Sequence, residues 1–207
     1  LKGQPVRFKS VMDTRRAGIS MIFQEFNQVR HMTVMENIFL GREPRTPLGT
    51  IDFKKMYRDS SALLARLGVD LNPRTMMRDL TVAKYQLVEI VKAVSYNAEI
   101  IIMDEPTSAL SHTEIRYLMD TVEKLRSEGK AIVYISHKMD EIYSLCSRVT
   151  VLRDGKFIFS GLVKDVPERE LIRMMVDRTV DQLYPKVAAD IGEPVLEVRN
   201  IRINGLF

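Results

Sequence analysis

Residues 100–110 read IIIMDEPTSAL, an apolar run that ends in two adjacent carboxylates, Asp104 and Glu105. Such an unbroken apolar run is typical of a strand in a parallel sheet that is buried on both faces. In sheets of this kind, functional side chains lie where the strands end, beside the ligand crevice. We therefore predict an α/β fold in which both carboxylates emerge at a ligand site.

The two carboxylates have separate uses in nucleotide hydrolysis. A strand-end aspartate can hold Mg²⁺, and the next residue can orient or deprotonate the attacking water. Because side chains alternate along a strand, we expect Asp104 and Glu105 to face in opposite directions. The other interpretation is a strand that ends in a solvated Asp-Glu pair before the turn at Pro106, which a shorter apolar run would favour.

The 207 residues are 45% hydrophobic, which is enough for a sizeable core. The single cysteine, Cys146, excludes a disulfide within these residues and is typical of a reducing cytosol. No apolar run approaches the length of a membrane span, and no export signal is recognisable. The net charge is +4, but basic and acidic residues alternate along the chain, so a solvated surface is favoured over a nucleic-acid site.

Apolar strand patterns alternate with amphipathic helix patterns and their boundary signals. Residues 17–24 predict a strand that delivers Gln24, and residues 131–135 predict a third one. Asp154 and Gly155 predict a hairpin turn. The predicted helix boundaries are capping boxes at Thr33–Glu36 and Ser111–Glu114, an N-cap at Asp52, ends at Gly68 and Gly129, and a start at Pro167.

Four motifs in a fixed order resemble the ATP-binding subunits of ABC transporters. They are IFQEF at 22–26, LTVAK at 80–84, MDEPT at 103–107 and ISHK at 135–138. Three further segments are similar to the bacterial importers of galactose, ribose, xylose and related sugars, in which two ATPase domains lie in tandem. These are NIFLGREP at 37–44, VEIVKA at 88–93 and VLRDG at 151–155. A single motif is weakly specific, whereas the ordered set is highly specific.

The resemblance implies ATP and Mg²⁺ as cofactors and a role for each strand-end residue. Glu105 would polarise the attacking water, while Asp104 and Gln24 would serve Mg²⁺. Gln24 would also join the ATPase core to a helical subdomain of about residues 25–95. His137 would bond the γ-phosphate and hold Glu105 in place. The plainer interpretations are a glutamine that satisfies loop backbone groups and a histidine without a role.

The LTVAK segment occupies the place of the ABC signature, which reaches the nucleotide bound by the other domain of a dimer. Thr81 keeps a hydroxyl where serine is usual, and Val82 and Ala83 match the sugar-importer variant. Lys84 departs from the usual glutamine, which weakens the assignment. A helix N-terminus suits a phosphate, although Thr81 could also be a plain N-cap. Ser108 opens a segment, 108–111, that resembles the D-loop at the same interface.

No Gly-x-x-x-x-Gly-Lys sequence followed by Ser or Thr occurs in the 207 residues. The resemblance places this phosphate-binding loop upstream of Leu1, so we expect a piece of a longer protein that has negligible ATPase activity alone. Exposed sheet edges would favour oligomerisation. A natural, non-catalytic ABC-like binding module that supplies only interface and permease contacts is the alternative.

The full expectation is an incomplete ABC-type P-loop NTPase domain at residues 1–180, a linker at 181–193 and the first strand of a second ATPase domain at 194–207. The resemblance implies a peripheral position at the cytoplasmic face of the bacterial inner membrane. Its partners would be transmembrane permease subunits and, indirectly, a periplasmic sugar-binding protein. Permease contacts would fall at residues 25–40, where Phe26, Met32 and Met35 could line a groove. A third hypothesis, an ABC ATPase that acts on nucleic acid, would be expected to show a basic arm, which this sequence lacks.

Overall fold

The computed structural model describes residues 1–24, 28–108, 110–176 and 196–199. The chain divides into two compact units, residues 1–149 with 161–165, and residues 150–160 with 166–207. The predicted linker at 181–193 lies outside the described residues, as does most of the strand predicted at 194–207. The predicted domain boundaries therefore stay predictions.

A parallel three-stranded sheet forms the centre of the first unit. Its strands are β1 (Ile19–Ile22), β2 (Ile100–Asp104) and β3 (Ala131–Ile135), in the order β1-β2-β3. In the register, Ile22 lies beside Met103, and Asp104 lies beside Ile135. The three strands therefore end at one edge, and the predicted α/β fold with a parallel sheet is confirmed.

The two faces of this sheet differ in burial. Ile22, Ile101 and Met103 lie on one face and are fully buried in the hydrophobic core. On the opposite face, Met21 is 36% exposed and Val133 is 49% exposed. The prediction that β2 belongs to a sheet buried on both faces is thus wrong for the described residues. The reason is that the apolar run supplies side chains to both faces, while the core cluster packs against only one of them.

Within the described residues the first unit has six α-helices, and the boundary signals predicted from the sequence concern all but the first and the last of them. They are α1 (Val11–Arg16), α2 (Val34–Ile38), α3 (Phe53–Leu67), α4 (Val82–Ser95), α5 (His112–Ser127) and α6 (Met139–Leu145). Both capping boxes are present, at the starts of α2 and α5. Asp52 caps α3, and Gly68 ends it with a left-handed φ of 74° that favours glycine.

The section between β1 and β2 is helical in its described part, residues 28–99, which hold α2, α3 and α4. Its only β pairing there consists of two isolated bridges, Thr33 with Met76 and Arg45 with Ile51. Val88 and Val91 of α4 share one core cluster with the buried side chains of the sheet. This section is therefore fixed to the strands by α4.

A β-hairpin follows α6. Strands β4 (Arg148–Arg153) and β5 (Lys156–Leu162) form a two-stranded sheet. Asp154 and Gly155 connect them with φ values of 51° and 73°, as the Asp-Gly signal predicts. After Pro167 comes α7 (Glu168–Val176), which belongs to the second unit. Within the described ranges, no helix is both long enough and apolar enough to span a membrane.

Candidate active site

Three polar side chains meet at the carboxyl edge of the sheet. Gln24 follows β1, Glu105 follows β2 and His137 follows β3, each within two residues of the strand end. Because parallel strands end at the same edge, three segments that are distant in sequence deliver their next side chains to one place. The structure thus brings together the three residues for which the sequence analysis predicts a catalytic role.

Glu105 lies between the other two side chains. Its Oε1 is 2.9 Å from Nδ1 of His137, and its Oε2 accepts a hydrogen bond of 3.2 Å from Nε2 of Gln24. Because an ionised carboxylate only accepts, Nδ1 of His137 is assigned as the donor, which leaves Nε2 for another partner. Each carboxylate oxygen accepts one bond here, so lone pairs remain for a water molecule.

The backbone of Glu105 has a left-handed conformation, with φ at 42°. For a residue other than glycine, this region costs roughly 1–2 kcal/mol. The backbone N–H of Glu105 donates to the carbonyl of Ile135 at 2.9 Å, which extends the β2–β3 pairing by one residue. The strand itself ends at Asp104. Because this backbone is left-handed, strand alternation alone does not determine where the side chain of Glu105 lies, and the expectation that it faces away from Asp104 stays a prediction.

Exposure differs between the members of this site. The side chain of His137 is 65% exposed and that of Glu105 is 28% exposed. Gln24 is also exposed. The Glu105 carboxylate is thus partly shielded, while the imidazole of His137 beside it is open to solvent.

Two residues at the strand ends, Asp104 and Gln24, carry oxygen atoms that could hold Mg²⁺. Asp104 is the last residue of β2. Gln24 uses its amide nitrogen for Glu105, so its amide oxygen is the atom left for a cation. In the described residues, no group of three or more His, Cys, Asp or Glu side chains is placed to hold a metal ion. Carboxylate and amide oxygens are chemically suited to Mg²⁺, which usually takes its remaining ligands from phosphate and water.

The signature-like segment forms the start of α4. Thr81 is the N-cap, and its hydroxyl accepts a bond from the backbone N–H of Lys84 at 3.5 Å. Val82 is 43% exposed, whereas Ala83 is only 7% exposed. A ligand could therefore contact Thr81 and Val82 by their side chains but Ala83 only through its backbone. The plain N-cap interpretation and a phosphate site at this helix end are both compatible with this geometry.

A cavity of about 330 Å³ opens beside this helix start, and it is lined by residues that include Thr81, Leu110 and Tyr117. None of Gln24, Glu105 and His137 lines it. The cluster around Glu105 is thus a surface site at the sheet edge, outside this cavity.

The D-loop-like segment begins in direct contact with the site. The backbone N–H of Ser108 donates to the carbonyl of Glu105 at 3.2 Å, and Ser108 is exposed. Ala109 lies outside the described residues. Ser111 acts as the cap of α5 in a capping box with Glu114, as predicted.

The predicted groove for a permease is corrected in one respect. Met35 is only 8% exposed, and its backbone N–H donates to the carbonyl of Pro73 at 2.9 Å. Since α2 turns this side chain into the core, Met35 does not line an open groove. Met32 is partly exposed, and Phe26 lies outside the described residues.

Sequence reasoning missed a buried carboxylate next to the site. Glu141 of α6 is 3% exposed and accepts hydrogen bonds from Thr107, Tyr134 and Ser136. A glutamate four residues after His137 in an amphipathic helix pattern is easily taken for a solvated charge. The only signal in the sequence is its place among apolar helix positions, three residues after Lys138.

Comparison with known proteins identifies the family. The family model described as "ABC transporter" matches residues 1–108. A galactose/methyl galactoside import ATP-binding protein, MglA 1 of Photobacterium profundum, is 47% identical over the whole chain, which covers 42% of that protein. A protein of Agrobacterium fabrum, provisionally named ribose/galactose/methyl galactoside import ATP-binding protein 2, is 48% identical, and the chain covers 40% of it.

Comparison with solved structures agrees with the family match. A crystal structure of a nucleotide-free ATP-binding cassette from an ABC transporter superposes with a TM-score of 0.66 at 21% identity, over 80% of this chain and 71% of that one. At this identity the likeness shows the fold alone. The family match and the fold thus define an ABC-type ATP-binding cassette.

The chain belongs to the ABC transporter family. It resembles the ATP-binding subunits named for import of ribose, galactose and methyl galactoside, and it spans about 40% of their length.

Proposed function

We propose that this chain is part of the ATP-hydrolysing subunit that powers import of a monosaccharide through a membrane permease. The observation that carries the proposal is the meeting of Gln24 and His137 on the two oxygens of Glu105. A carboxylate held from both sides at a strand end is placed to receive a proton from water, which is the task of a general base. The reaction is phosphoryl transfer from ATP to water.

In this proposal, Glu105 accepts the proton of the attacking water through a lone pair that its two partners leave free. The Nδ1 contact of His137 fixes the rotation of its ring, so that Nε2 is the atom available to the γ-phosphate. Gln24 restrains the second carboxylate oxygen. These side chains hold the base in one position, which removes orientational freedom before the reaction.

Asp104 and the amide oxygen of Gln24 are the groups that would hold Mg²⁺. When bound, Mg²⁺ neutralises charge on the β- and γ-phosphate oxygens. Thr81, Val82 and Ala83, together with Ser108, would act on a nucleotide held by a second ATPase domain. The exposed N-terminus of α4 supports this role, because its backbone N–H groups and helix dipole favour a phosphate.

The transported substrate is inferred from the relatives. Proteins 47–48% identical to this chain are named for ribose, galactose and methyl galactoside import. The partners are therefore transmembrane permease subunits and a tandem second ATPase domain, with a periplasmic sugar-binding protein acting indirectly. The working place of the complex is the cytoplasmic face of the bacterial inner membrane. Selection of the sugar falls to the permease and the binding protein.

The 207 residues lack the sequence of a phosphate-binding loop. Successive backbone amides and a lysine from such a loop are what hold a triphosphate in P-loop enzymes. We therefore expect hydrolysis only when the chain is joined to a phosphate-binding segment upstream of Leu1. We call this form the loop-extended protein.

The test compares Mg²⁺-dependent ATP hydrolysis of the 207-residue chain and of the loop-extended protein. Each is measured unaltered, with Glu105→Gln, and with Glu123→Gln as a matched control. Glu123 is 53% exposed on α5 and bonds only Arg126 in the described structure. We expect activity in the loop-extended protein alone, lost with Glu105→Gln and kept with Glu123→Gln.

Two results would count against the proposal. Activity of the short chain that depends on Glu105 would overturn the requirement for an added phosphate-binding loop. If the unaltered loop-extended protein does not hydrolyse ATP, the alternative is favoured, a non-catalytic module that supplies interface and permease contacts.

A further inference from the structure

A buried hydrogen-bond cluster lies directly behind the site, centred on Glu141 of α6. The side chain of Glu141 is 3% exposed. Its Oε1 accepts a bond of 2.6 Å from the hydroxyl of Thr107. Its Oε2 accepts bonds of 2.8 Å from Tyr134 and 3.1 Å from Ser136. One carboxylate therefore receives three donors, from segments 34, 7 and 5 residues away in sequence.

The two oxygens of Glu141 serve the two loops that carry the candidate catalytic residues. Thr107 comes two residues after Glu105, in the loop that follows β2. Ser136 comes immediately before His137, in the loop that follows β3. Glu141 thus connects the two loops. In the described contacts it forms no hydrogen bond with Glu105 or His137 themselves.

Lys138, the residue after His137, also belongs to the hydrogen-bond cluster. Its ammonium group is 3.4 Å from Oε1 of Glu141 and donates to the carbonyl and hydroxyl of Thr107 at 3.1 and 3.0 Å. Its backbone N–H donates to the hydroxyl of Ser136 at 3.0 Å. His137 is therefore flanked on both sides by residues that belong to the cluster.

The charge state of the cluster is consistent with a rigid bridge. Burial raises the pKa of the Glu141 carboxyl, but the hydrogen bonds from Thr107, Tyr134 and Ser136 and the charge of Lys138 outweigh burial, so the pKa lies below its ordinary value. An ionised carboxylate accepts all three donors at once. Buried charge-assisted bonds of this kind are strong and directional.

We propose that Glu141 is a positioning residue, which sets the distance between Glu105 and His137 by holding Thr107 and Ser136 on its two oxygens. The inference rests on the proposed function of Glu105 as the base. A displacement of about 1 Å in a reacting group can lower a rate by about 100-fold, so loss of the bridge should act on kcat. Binding of ATP, which uses other groups, should change little.

The experiment uses the loop-extended protein and three single substitutions. Thr107→Val keeps the shape of the side chain but removes the hydroxyl, which donates to Glu141 and accepts from Lys138. Thr107→Ser restores a hydroxyl. Tyr134→Phe is the matched control. It also removes one bond to Glu141, but Tyr134 lies within β3 and not in a loop that carries Glu105 or His137. For each, kcat and KM for ATP are measured together with the urea midpoint of unfolding.

We expect Thr107→Val to lower kcat by about 10-fold or more with KM within about 2-fold, and Thr107→Ser to recover most of that loss. Tyr134→Phe should also lower the unfolding midpoint but leave kcat within about 2-fold. Equal kcat losses in Thr107→Val and Tyr134→Phe would show a merely structural role and overturn the proposal. An unchanged kcat in Thr107→Val would overturn it as well.

Failure of the underlying function gives a different pattern. If the unaltered loop-extended protein does not hydrolyse ATP, both the function of Glu105 and the positioning role of Glu141 fall. If the unaltered protein hydrolyses ATP and Glu105→Gln abolishes the activity, the function of Glu105 stands. The three variants then test the positioning role of Glu141 alone.

Discussion

The carboxylate of Glu105 lies 2.9 Å from the imidazole Nδ1 of His137, although 32 positions separate the two residues. The contact exists because Glu105 follows β2 and His137 follows β3, which are neighbouring parallel strands. A second contact, from Gln24 after β1, reaches the other oxygen of the same carboxylate. Three adjacent strand ends thus converge on one candidate base.

The first prediction concerns the two partners of Glu105. His137→Ala and Gln24→Ala each remove one hydrogen bond to the carboxylate, so the base becomes less well oriented. We expect each to lower kcat of the loop-extended protein by about 10-fold or more, since general-base catalysis contributes about 100-fold or more in total. The measurement is steady-state ATP hydrolysis. Activity at the unaltered level in both variants would show that neither contact matters for the base.

The second prediction concerns the left-handed backbone of Glu105. Glu105→Gly should give a protein more stable than Glu105→Ala by about 1 kcal/mol, because glycine adopts a positive φ without steric cost. Both variants lose the same bonds to Gln24 and His137, so the difference isolates the backbone. Urea unfolding of the two proteins measures it.

The control for this comparison is Glu123, which lies inside α5. There Glu123→Gly should be less stable than Glu123→Ala by about 1 kcal/mol, since glycine is unfavourable within a helix. The same order of stability at both positions would contradict the left-handed conformation of Glu105.

The sequence predicts much of this arrangement because its signals are local. The capping boxes at Thr33 and Ser111 and the Asp154-Gly155 turn each need only a few neighbouring residues, and the structure has all three. The strand ends follow from the apolar runs before Gln24 and Glu105. Convergence at one edge then follows from the parallel order of the strands.

What the sequence does not predict depends on contacts between distant segments. Glu141 is buried because Thr107, 34 residues earlier, donates to it. The backbone N–H of Glu105 bonds the carbonyl of Ile135 in the next strand, although Glu105 itself has a left-handed φ. Met35 is buried, and its backbone N–H bonds the carbonyl of Pro73, 38 residues later. Periodicity within a segment contains none of this information.

A third prediction concerns the acid stability of the protein. The pKa of Glu141 in the folded protein is held below its ordinary value of about 4.5. Its ionisation therefore stabilises the fold above that ordinary value, and this stability is lost as the pH falls through the lowered pKa. Tyr134→Phe removes one donor, so the pKa in the folded protein should rise and the pH-dependent stability should shrink.

Urea unfolding at several pH values between about 6 and 3 tests this prediction. The difference in unfolding free energy between the unaltered protein and Tyr134→Phe should narrow as the pH falls. A difference that stays constant over that range would show that Glu141 does not gain its low pKa from this hydrogen bond.

A fourth prediction concerns the start of α4. Thr81→Ala removes the N-cap hydroxyl and should lower the unfolding free energy by about 1 kcal/mol. Thr81→Ser keeps a hydroxyl, so it should keep the cap. If Thr81 acts on the nucleotide of a second ATPase domain as proposed, Thr81→Ser should also keep the hydrolysis that Thr81→Ala loses. If Thr81→Ala loses stability but no hydrolysis, Thr81 is only the N-cap of α4 and has no role in hydrolysis.

The most direct test of Glu105 as the base separates ATP binding from hydrolysis. In the loop-extended protein with Mg²⁺, Glu105→Gln keeps the size of the side chain but removes the group that accepts the proton. We predict that it binds a fluorescent ATP analogue within a few-fold of the unaltered affinity while hydrolysis falls by about 100-fold or more. Hydrolysis at an undiminished rate, with binding intact, would contradict the account, because another group would then have to activate the water.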